Sequence, residues 1–397
     1  MHSGERINPF PAYGGTYMKY RELGNTGLMV SEIALGGEWL ERQTPEAVCA
    51  VVDRCREMGI NFIDCFMSEP NVRLNIGNAI KNDREKWIIQ GHIGSAWRDG
   101  QYVRTRDLEE TKAAFADLLS RFHTDYMDLG MIHFVDKLAD WEEVLTGGFM
   151  DYMKALRAEG KIKHIGLSTH NPEIARLAVL TGEVKVILFS LNPAYDMLPA
   201  TDNIDDYFVE QYAEGLSGIA KERADLYKLC ESEGVAITVM KGFGGGRLLD
   251  AKRSPFGVAL TPCQCIHYAL TRPSVSSVLI GFSTPAQVDE AVYYENATEE
   301  EKDYATALSK MPRHAYIGDC TYCGHCKPCP VNIDIAMVNK LYDLATVKED
   351  VPATVKEHYG DLSAKASDCI GCGACEERCP FGVKVTERME KCAKLLG

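Results

Sequence analysis

The sequence lacks any apolar run approaching the roughly 18 residues that a membrane-spanning helix needs. Its first 17 residues contain no apolar stretch of the kind found in secretory signal peptides, so we expect a cytoplasmic protein. It also lacks an excess of basic residues: 43 Lys and Arg stand against 57 Asp and Glu, a net charge of -14. This balance argues against binding to nucleic acid or to an anionic membrane. The sequence also has no low-complexity segment. Together these absences indicate a globular protein whose partners are small molecules or other proteins.

Cysteine, by contrast, is abundant, with 15 in 397 residues. In a reducing compartment clustered cysteines indicate metal binding rather than disulfides. One run, followed by Pro380, has the C-x2-C-x2-C-x3-C-P spacing of bacterial ferredoxins, and an earlier run, followed by Pro330, shortens the last spacer by one residue. The two runs predict two 4Fe-4S clusters; a pair of zinc ribbons is the alternative. Their members are Cys320, Cys323, Cys326 and Cys329 in the first run, and Cys369, Cys372, Cys375 and Cys379 in the second.

Upstream of the cysteine runs, short apolar segments alternate with amphipathic ones. Eight strand-then-helix units over about 280 residues predict an α/β fold of the (β/α)8 TIM barrel type, with an open doubly wound sheet as the alternative. The longer acidic connection at 192–218 is predicted to be a loop or cap insertion near the site. The strands are expected at 30–37, 60–65, 86–93, 126–133, 163–170, 184–192, 234–242 and 276–282.

Several segments resemble the aldo-keto reductase family, among them RELGNTGLMVSEIALGG, TDYMDLGMIH and VSSVLIGFSTPAQVDEA. The cysteine-rich tail resembles that of the branch of this family that carries two 4Fe-4S clusters. The resemblance implies an N-terminal extension (1–17), a TIM barrel (18–300) and a small ferredoxin-like α domain (301–397). It further implies NADPH as a cofactor and a carbonyl group as the one reduced, with Tyr, Lys, Asp and His at the catalytic positions.

Aligned with the family motifs, two catalytic positions are retained and two are replaced. Asp64 and His133 match the family Asp and His, whereas Glu69 falls at the Tyr position and His92 at the Lys position. All four are expected at the C-terminal ends of barrel strands, where such enzymes assemble their sites. A carboxylate beside His92 would hold it as a proton donor, His133 would polarise a substrate oxygen, and a protonated Glu69 would donate to an oxyanion. Structural histidines and a mononuclear metal site are the alternatives.

The resemblance also implies positions that contact cofactors. NADPH would meet Ser168 after the fifth strand, the glycine turn at Gly244 and Gly245, and Glu290 on the adenine side. The fourth cysteine of each ferredoxin run ligates the other cluster. The resemblance therefore groups Cys320, Cys323, Cys326 and Cys379 on one cluster, and Cys369, Cys372, Cys375 and Cys329 on the second.

Three functions are consistent with these residues. The first is an iron–sulfur oxidoreductase of an anaerobic cytoplasm, acting on a small carbonyl or hydroxyl compound with electrons passing through both clusters from ferredoxin, flavodoxin or another redox protein. The second is an NADPH-dependent carbonyl reductase with a substituted proton donor. The third is a non-redox lyase, dehydratase or isomerase that uses the same barrel.

Overall fold

A computed structural model describes residues 18–197, 219–309, 318, 320–346 and 350–397. The expected N-terminal extension and most of the expected 192–218 insertion lie outside these residues. Over the described part the strands are β1 (Tyr20–Glu22), β2 (Met29–Ser31), β3 (Ile33–Gly36), β4 (Phe62–Cys65), β5 (Ile88–Ile93), β6 (Ser95–Arg98), β7 (Gln101–Arg104), β8 (Met127–Ile132), β9 (Ile162–Thr169), β10 (Val184–Ser190), β11 (Ala236–Met240) and β12 (Val275–Gly281).

The helices alternate with these strands and then continue alone towards the C-terminus. In chain order they are α1 (Pro45–Glu57), α2 (Pro70–Ile80), α3 (Leu108–Arg121), α4 (Leu138–Thr146), α5 (Phe149–Ala158), α6 (Pro172–Leu180), α7 (Lys221–Glu233), α8 (Pro262–Leu270), α9 (Pro285–Val292), α10 (Tyr304–Ser309), α11 (Ile335–Ala345), α12 (Ala353–Gly360), α13 (Ala374–Glu377) and α14 (Val385–Leu396).

Eight parallel strands close a barrel in the order β3-β4-β5-β8-β9-β10-β11-β12. They are the eight strands predicted from the sequence, and the TIM-barrel prediction is confirmed. Their near-continuous apolar composition reflects burial on both faces, inside the barrel and beneath the helices. Several helices begin with proline after a Thr or Asn cap; before α8, the Thr261 side chain accepts a hydrogen bond from the backbone N–H of Gln264, which closes a capping box.

The barrel interior is filled by fully buried apolar side chains such as Phe62, Leu129 and Leu188. The β1–β2 hairpin contributes Leu23 and Val30 to this same core. Packing between β8 and β9 is so close that a Cβ on Gly166 would lie 2.2 Å from the sulfur of Met131, so only glycine fits there. The core thus leaves the strand ends free to carry polar side chains.

The chain divides into two compact units. The first contains the eight barrel strands, apart from Val275 at the start of β12. The second contains α7, α8 and the C-terminal helices α10–α14, so its cysteine-bearing segment packs against helices that precede it in sequence. Lys340 of α11 pairs with Glu231 of α7 at 3.5 Å. Over the described residues, no helix combines the length and apolar character needed to cross a membrane.

Candidate functional site

Asp64, the third residue of β4, anchors a buried polar chain at the carboxyl end of the barrel. Its Oδ1 accepts hydrogen bonds from Nε2 of Gln90 at 2.7 Å and from Nε2 of His92 at 2.9 Å. Gln90 and His92 lie two residues apart on β5 and therefore face the same side of the strand. Thr238 on β11 donates to Oε1 of Gln90 at 3.2 Å, which turns the amide nitrogen of Gln90 towards Asp64. The carboxylate of Asp64 is thus fixed by two neighbours.

His133 continues the chain directly after β8. Its Nδ1 lies 2.8 Å from Nδ1 of His92, and the two rings meet edge to face with centroids 4.9 Å apart. Both rings are buried, with 2% of His92 and 4% of His133 exposed. Two facing Nδ1 atoms share a single proton in this contact, so one imidazole donates while the other accepts.

Burial lowers the pKa of His133 well below its usual value, and the nearby His92, Arg106 and Arg104 lower it further. His133 is therefore a neutral imidazole near neutral pH. The following residue, Phe134, has a φ of 48°, a left-handed conformation that is rare for a bulky side chain. Arg106 holds this turn by donating to the backbone carbonyls of His133 at 2.8 Å and Phe134 at 3.2 Å. These hydrogen bonds hold the backbone at His133 and Phe134 and so fix the position from which the imidazole of His133 projects.

Tyr102, which sequence reasoning missed, lies at the outer end of the chain. Its hydroxyl oxygen is 2.6 Å from Nε2 of His133, and its ring stands nearly perpendicular to the imidazole, at 87°. Tyr102 is 43% exposed, in contrast to the three residues behind it. Asp64, His92, His133 and Tyr102 thus form one hydrogen-bonded chain, the polar chain, which runs from the carboxyl end of β4 to the surface.

An antiparallel hairpin of β6 and β7 positions Tyr102, opposite Trp97. Its two central residues, Asp99 and Gly100, both have positive φ, 52° and 77°, as a type I′ turn requires. The Asp-Gly pair between the alternating segments SAWR and QYVR is the sequence signal that would have found it.

The structure does not bring Glu69 into the polar chain, contrary to expectation. Glu69 caps the N-terminus of α2, where its carboxylate accepts from the backbone N–H of Val72 at 2.7 Å and from the Asn71 amide at 3.0 Å. An N-cap carboxylate acts as an acceptor, so the expected role of protonated donor does not suit this geometry.

The residues expected to contact NADPH lie in both units. Ser168, at the carboxyl end of β9, is buried, and Glu290 is exposed on α9. Gly244 and Gly245 both adopt positive φ, 59° and 65°, in the turn after β11. This left-handed conformation is the one that glycine favours over other residues.

The cysteine segment forms a second candidate site, in the second unit. Cys369, Cys372 and Cys375 of the second run line one pocket together with Cys329 of the first run, the grouping that the ferredoxin resemblance implies. Gly371 has a φ of 67° and directs its N–H towards the sulfur of Cys369 at 3.5 Å. Among the described residues, no three His, Cys, Asp or Glu side chains are placed to hold a single metal ion. Four sulfurs spread around a pocket fit a multi-iron cluster better than one zinc ion.

The remaining cysteines of the two runs also lie in the second unit. Cys320, Cys323, Cys326 and Cys379 are all partly buried. The sulfur of Cys379 accepts from the N–H of Val383 at 3.5 Å, a hydrogen bond of the kind that tunes iron–sulfur clusters. The donor set of both runs therefore fits 4Fe-4S clusters.

In this chain a (β/α)8 barrel with a polar chain at its strand ends is joined to a cysteine-rich segment whose donors fit iron–sulfur clusters. The chain belongs to the aldo/keto reductase family, whose model matches residues 32–259. A 4Fe-4S dicluster domain matches residues 316–383. Both confirm the resemblance found in the sequence.

Similar proteins agree with this assignment. The chain is 26% identical over 298 residues to YqkF, an uncharacterized oxidoreductase of Bacillus subtilis, covering 72% of this chain and 94% of that protein. It is 23% identical over 312 residues to the L-galactose dehydrogenase of Arabidopsis thaliana, covering 70% and 88%. An aldo-keto reductase from Bacillus halodurans in its holo form has the same fold, with a TM-score of 0.57, 22% identity and coverage of 74% and 96%.

Proposed function

We propose that this oxidoreductase interconverts a carbonyl and a hydroxyl group on a small oxygenated molecule, with electrons entering through two 4Fe-4S clusters. The single observation that carries the proposal is the buried Asp64–His92–His133 hydrogen-bonded chain at the carboxyl ends of neighbouring strands. Reduction of a carbonyl places a proton on its oxygen, and oxidation of a hydroxyl removes one. The chain offers the groups needed to move that proton.

Each residue has a distinct role in this proposal. Asp64, held by Gln90, accepts from Nε2 of His92 and so fixes the position of that ring. His92 then presents Nδ1 to His133. His133 stays neutral because burial lowers its pKa, so it can pass a proton from one ring nitrogen to the other without storing charge.

The electron-transfer part of the proposal rests on the second unit. A 4Fe-4S cluster takes up and releases single electrons. Reduced ferredoxin, flavodoxin or another low-potential redox protein is the proposed donor. We assign the ligands of one cluster to Cys320, Cys323, Cys326 and Cys379, and those of the other to Cys369, Cys372, Cys375 and Cys329; the shared pocket of the second set supports this grouping.

A nicotinamide-dependent reductase is the second candidate. Membership of the aldo/keto reductase family favours it, as does the left-handed glycine turn at Gly244 and Gly245, whose backbone could approach a phosphate closely. In this candidate NADPH supplies the electrons, and the proton chemistry of Asp64, His92 and His133 is unchanged.

One anaerobic experiment separates the two candidates. Protein with intact clusters is tested for NADPH and NADH binding by calorimetry and for reduction of a panel of aldehydes and ketones, with either reduced methyl viologen or NADPH as the electron source. Viologen-dependent turnover that is lost in folded, cluster-depleted Cys372→Ala supports the proposal. Retained turnover in that variant, once loss of its cluster is demonstrated, contradicts it. Micromolar NADPH binding with NADPH-dependent turnover would favour the second candidate instead.

A further inference from the structure

Of the four residues in the polar chain, only Tyr102 is exposed to solvent. Asp64, His92 and His133 are each at most 6% exposed, whereas Tyr102 is 43% exposed and still reaches Nε2 of His133 at 2.6 Å. A molecule arriving from solvent therefore meets the phenol of Tyr102 before it meets either imidazole.

From this geometry, and resting on the proposed function, we propose that Tyr102 is a catalytic residue whose hydroxyl exchanges a proton with the substrate oxygen. His133 and His92 return that proton to Tyr102, so the polar chain acts as a proton relay. The position is supplied by the β6–β7 hairpin, which lies outside the motifs that carry the family resemblance. Glu69, which falls at the position of the family tyrosine, is occupied in capping α2.

The relay can be written with every proton accounted for. In the loaded state His92 carries protons on both nitrogens, donating from Nε2 to Asp64 and from Nδ1 to His133. His133 then donates from Nε2 to the oxygen of Tyr102, which leaves the phenol proton free for the substrate. On carbonyl reduction the phenol O–H bond breaks as an O–H bond forms on the substrate. The phenolate takes the Nε2 proton of His133, and His133 takes the Nδ1 proton of His92.

This sequence leaves His92 neutral, and it runs in reverse for oxidation of a hydroxyl. Carbonyl reduction also requires two electrons and a second proton, which is added at carbon. A nicotinamide supplies both together as hydride. With a reduced redox protein, the clusters pass two electrons one at a time and solvent supplies the proton at carbon. Only the proton on oxygen passes through Tyr102.

The charges around Tyr102 suit a phenol that gives up its proton only briefly. Burial raises the pKa of Tyr102, although Arg104 and Arg106 oppose that rise, so the phenol keeps its proton near neutral pH. Both arginines are paired with Asp140, at 3.2 and 2.8 Å. They lie close enough to lower the pKa of Tyr102 and so stabilise a transient phenolate, while Asp140 keeps them in place.

The test is Tyr102→Phe, which keeps the ring against His133 and removes only the hydroxyl. Carbonyl reduction, with whichever electron source drives the wild type, is expected to fall by about 10²–10⁴-fold in kcat, the usual contribution of a positioned acid. Gln101→Ala, an exposed change on the opposite face of the same strand, is expected to leave kcat unchanged. Wild-type activity in folded Tyr102→Phe would overturn the proposal while leaving the proposed function intact. Absence of any turnover in the wild type would instead count against the proposed function.

A second measurement separates chemistry from simple covering of His133. A fluorinated tyrosine at position 102 keeps the shape of the side chain but makes the phenol more acidic. When kcat is plotted against pH, we expect its fall at alkaline pH to move to lower pH by an amount that follows the lowered pKa of the fluorinated phenol. A profile that superimposes on that of the wild type would show that Tyr102 covers the site without transferring a proton.

Discussion

The guanidinium of Arg272 donates a hydrogen bond to the backbone carbonyl of Thr321, the residue after Cys320 in the first cysteine run. Arg272 follows α8 and is only 1% exposed. Its charge lies 4.4 Å from the ring centre of Tyr268, and it also donates to the hydroxyl of Tyr304 at 3.1 Å. A buried cation on the α8 side thus holds the backbone beside a candidate cluster ligand.

We predict that Arg272→Met destabilises the second unit. The carbonyl of Thr321 would keep only the hydrogen bond from Tyr304, at 2.8 Å, and the packing of the guanidinium on Tyr268 would be lost. Loss of buried polar partners costs about 1–3 kcal/mol per group. Anaerobic chemical denaturation and iron content per chain are the measurements, with exposed Arg253→Met as the control. Unchanged denaturation and iron content would show that Arg272 does not hold this segment.

The assignment of ligands across the two runs gives a second prediction. Cys329→Ser and Cys372→Ser should lose the same cluster although they lie in different runs, because both residues line one pocket. Cys379→Ser should lose the other cluster. Iron and sulfide analysis with electron paramagnetic resonance of the reduced protein distinguishes the two, and Cys49→Ser, an exposed cysteine on α1, is the control. If Cys329→Ser instead lost the same cluster as Cys379→Ser, the grouping would be wrong.

Much of the fold is predictable from sequence because apolar strand segments alternate regularly with amphipathic helical segments, and several of the helices begin with a recognisable cap. The strand predicted at 163–170 is observed at Ile162–Thr169, and the one at 184–192 at Val184–Ser190. Asp64, His92 and His133 were expected together because carboxyl ends of parallel strands meet at one edge of a barrel, and the structure brings their side chains within hydrogen-bonding distance.

The positions of Glu69 and Tyr102 could not be predicted from the sequence pattern. Whether a side chain after a strand faces the site or caps the next helix depends on the backbone dihedrals of that residue, here Glu69 with φ -58° and ψ 125°, which spacing does not encode. The contact of Tyr102 with His133 depends on where the β6–β7 hairpin lies relative to the end of β8. The Asp-Gly turn predicts that a hairpin exists but not what it covers.

Removal of the central imidazole should interrupt proton transfer. We predict that His133→Ala lowers kcat by about 10²-fold or more, as is typical for acid–base groups. Because the alanine variant leaves a ring-sized space between His92 and Tyr102, added imidazole should restore part of the rate. Exposed His358→Ala is the matched control. Full activity in folded His133→Ala would remove His133 from the mechanism.

The lowered pKa of His133 also makes the stability of the first unit depend on pH. In the folded protein His133 stays neutral well below its ordinary pKa of about 6.5, whereas in the unfolded chain it takes up a proton near that value. The unfolded state therefore binds more protons as the pH falls below about 6.5, and stability falls with it. His133→Asn cannot titrate, so we predict that it loses less stability than the wild type between pH 7.5 and about pH 5. Anaerobic denaturation at both pH values measures the difference between the two proteins, which cancels the effect of acid on the clusters. Equal losses in both proteins would mean that His133 does not stay neutral in the folded state.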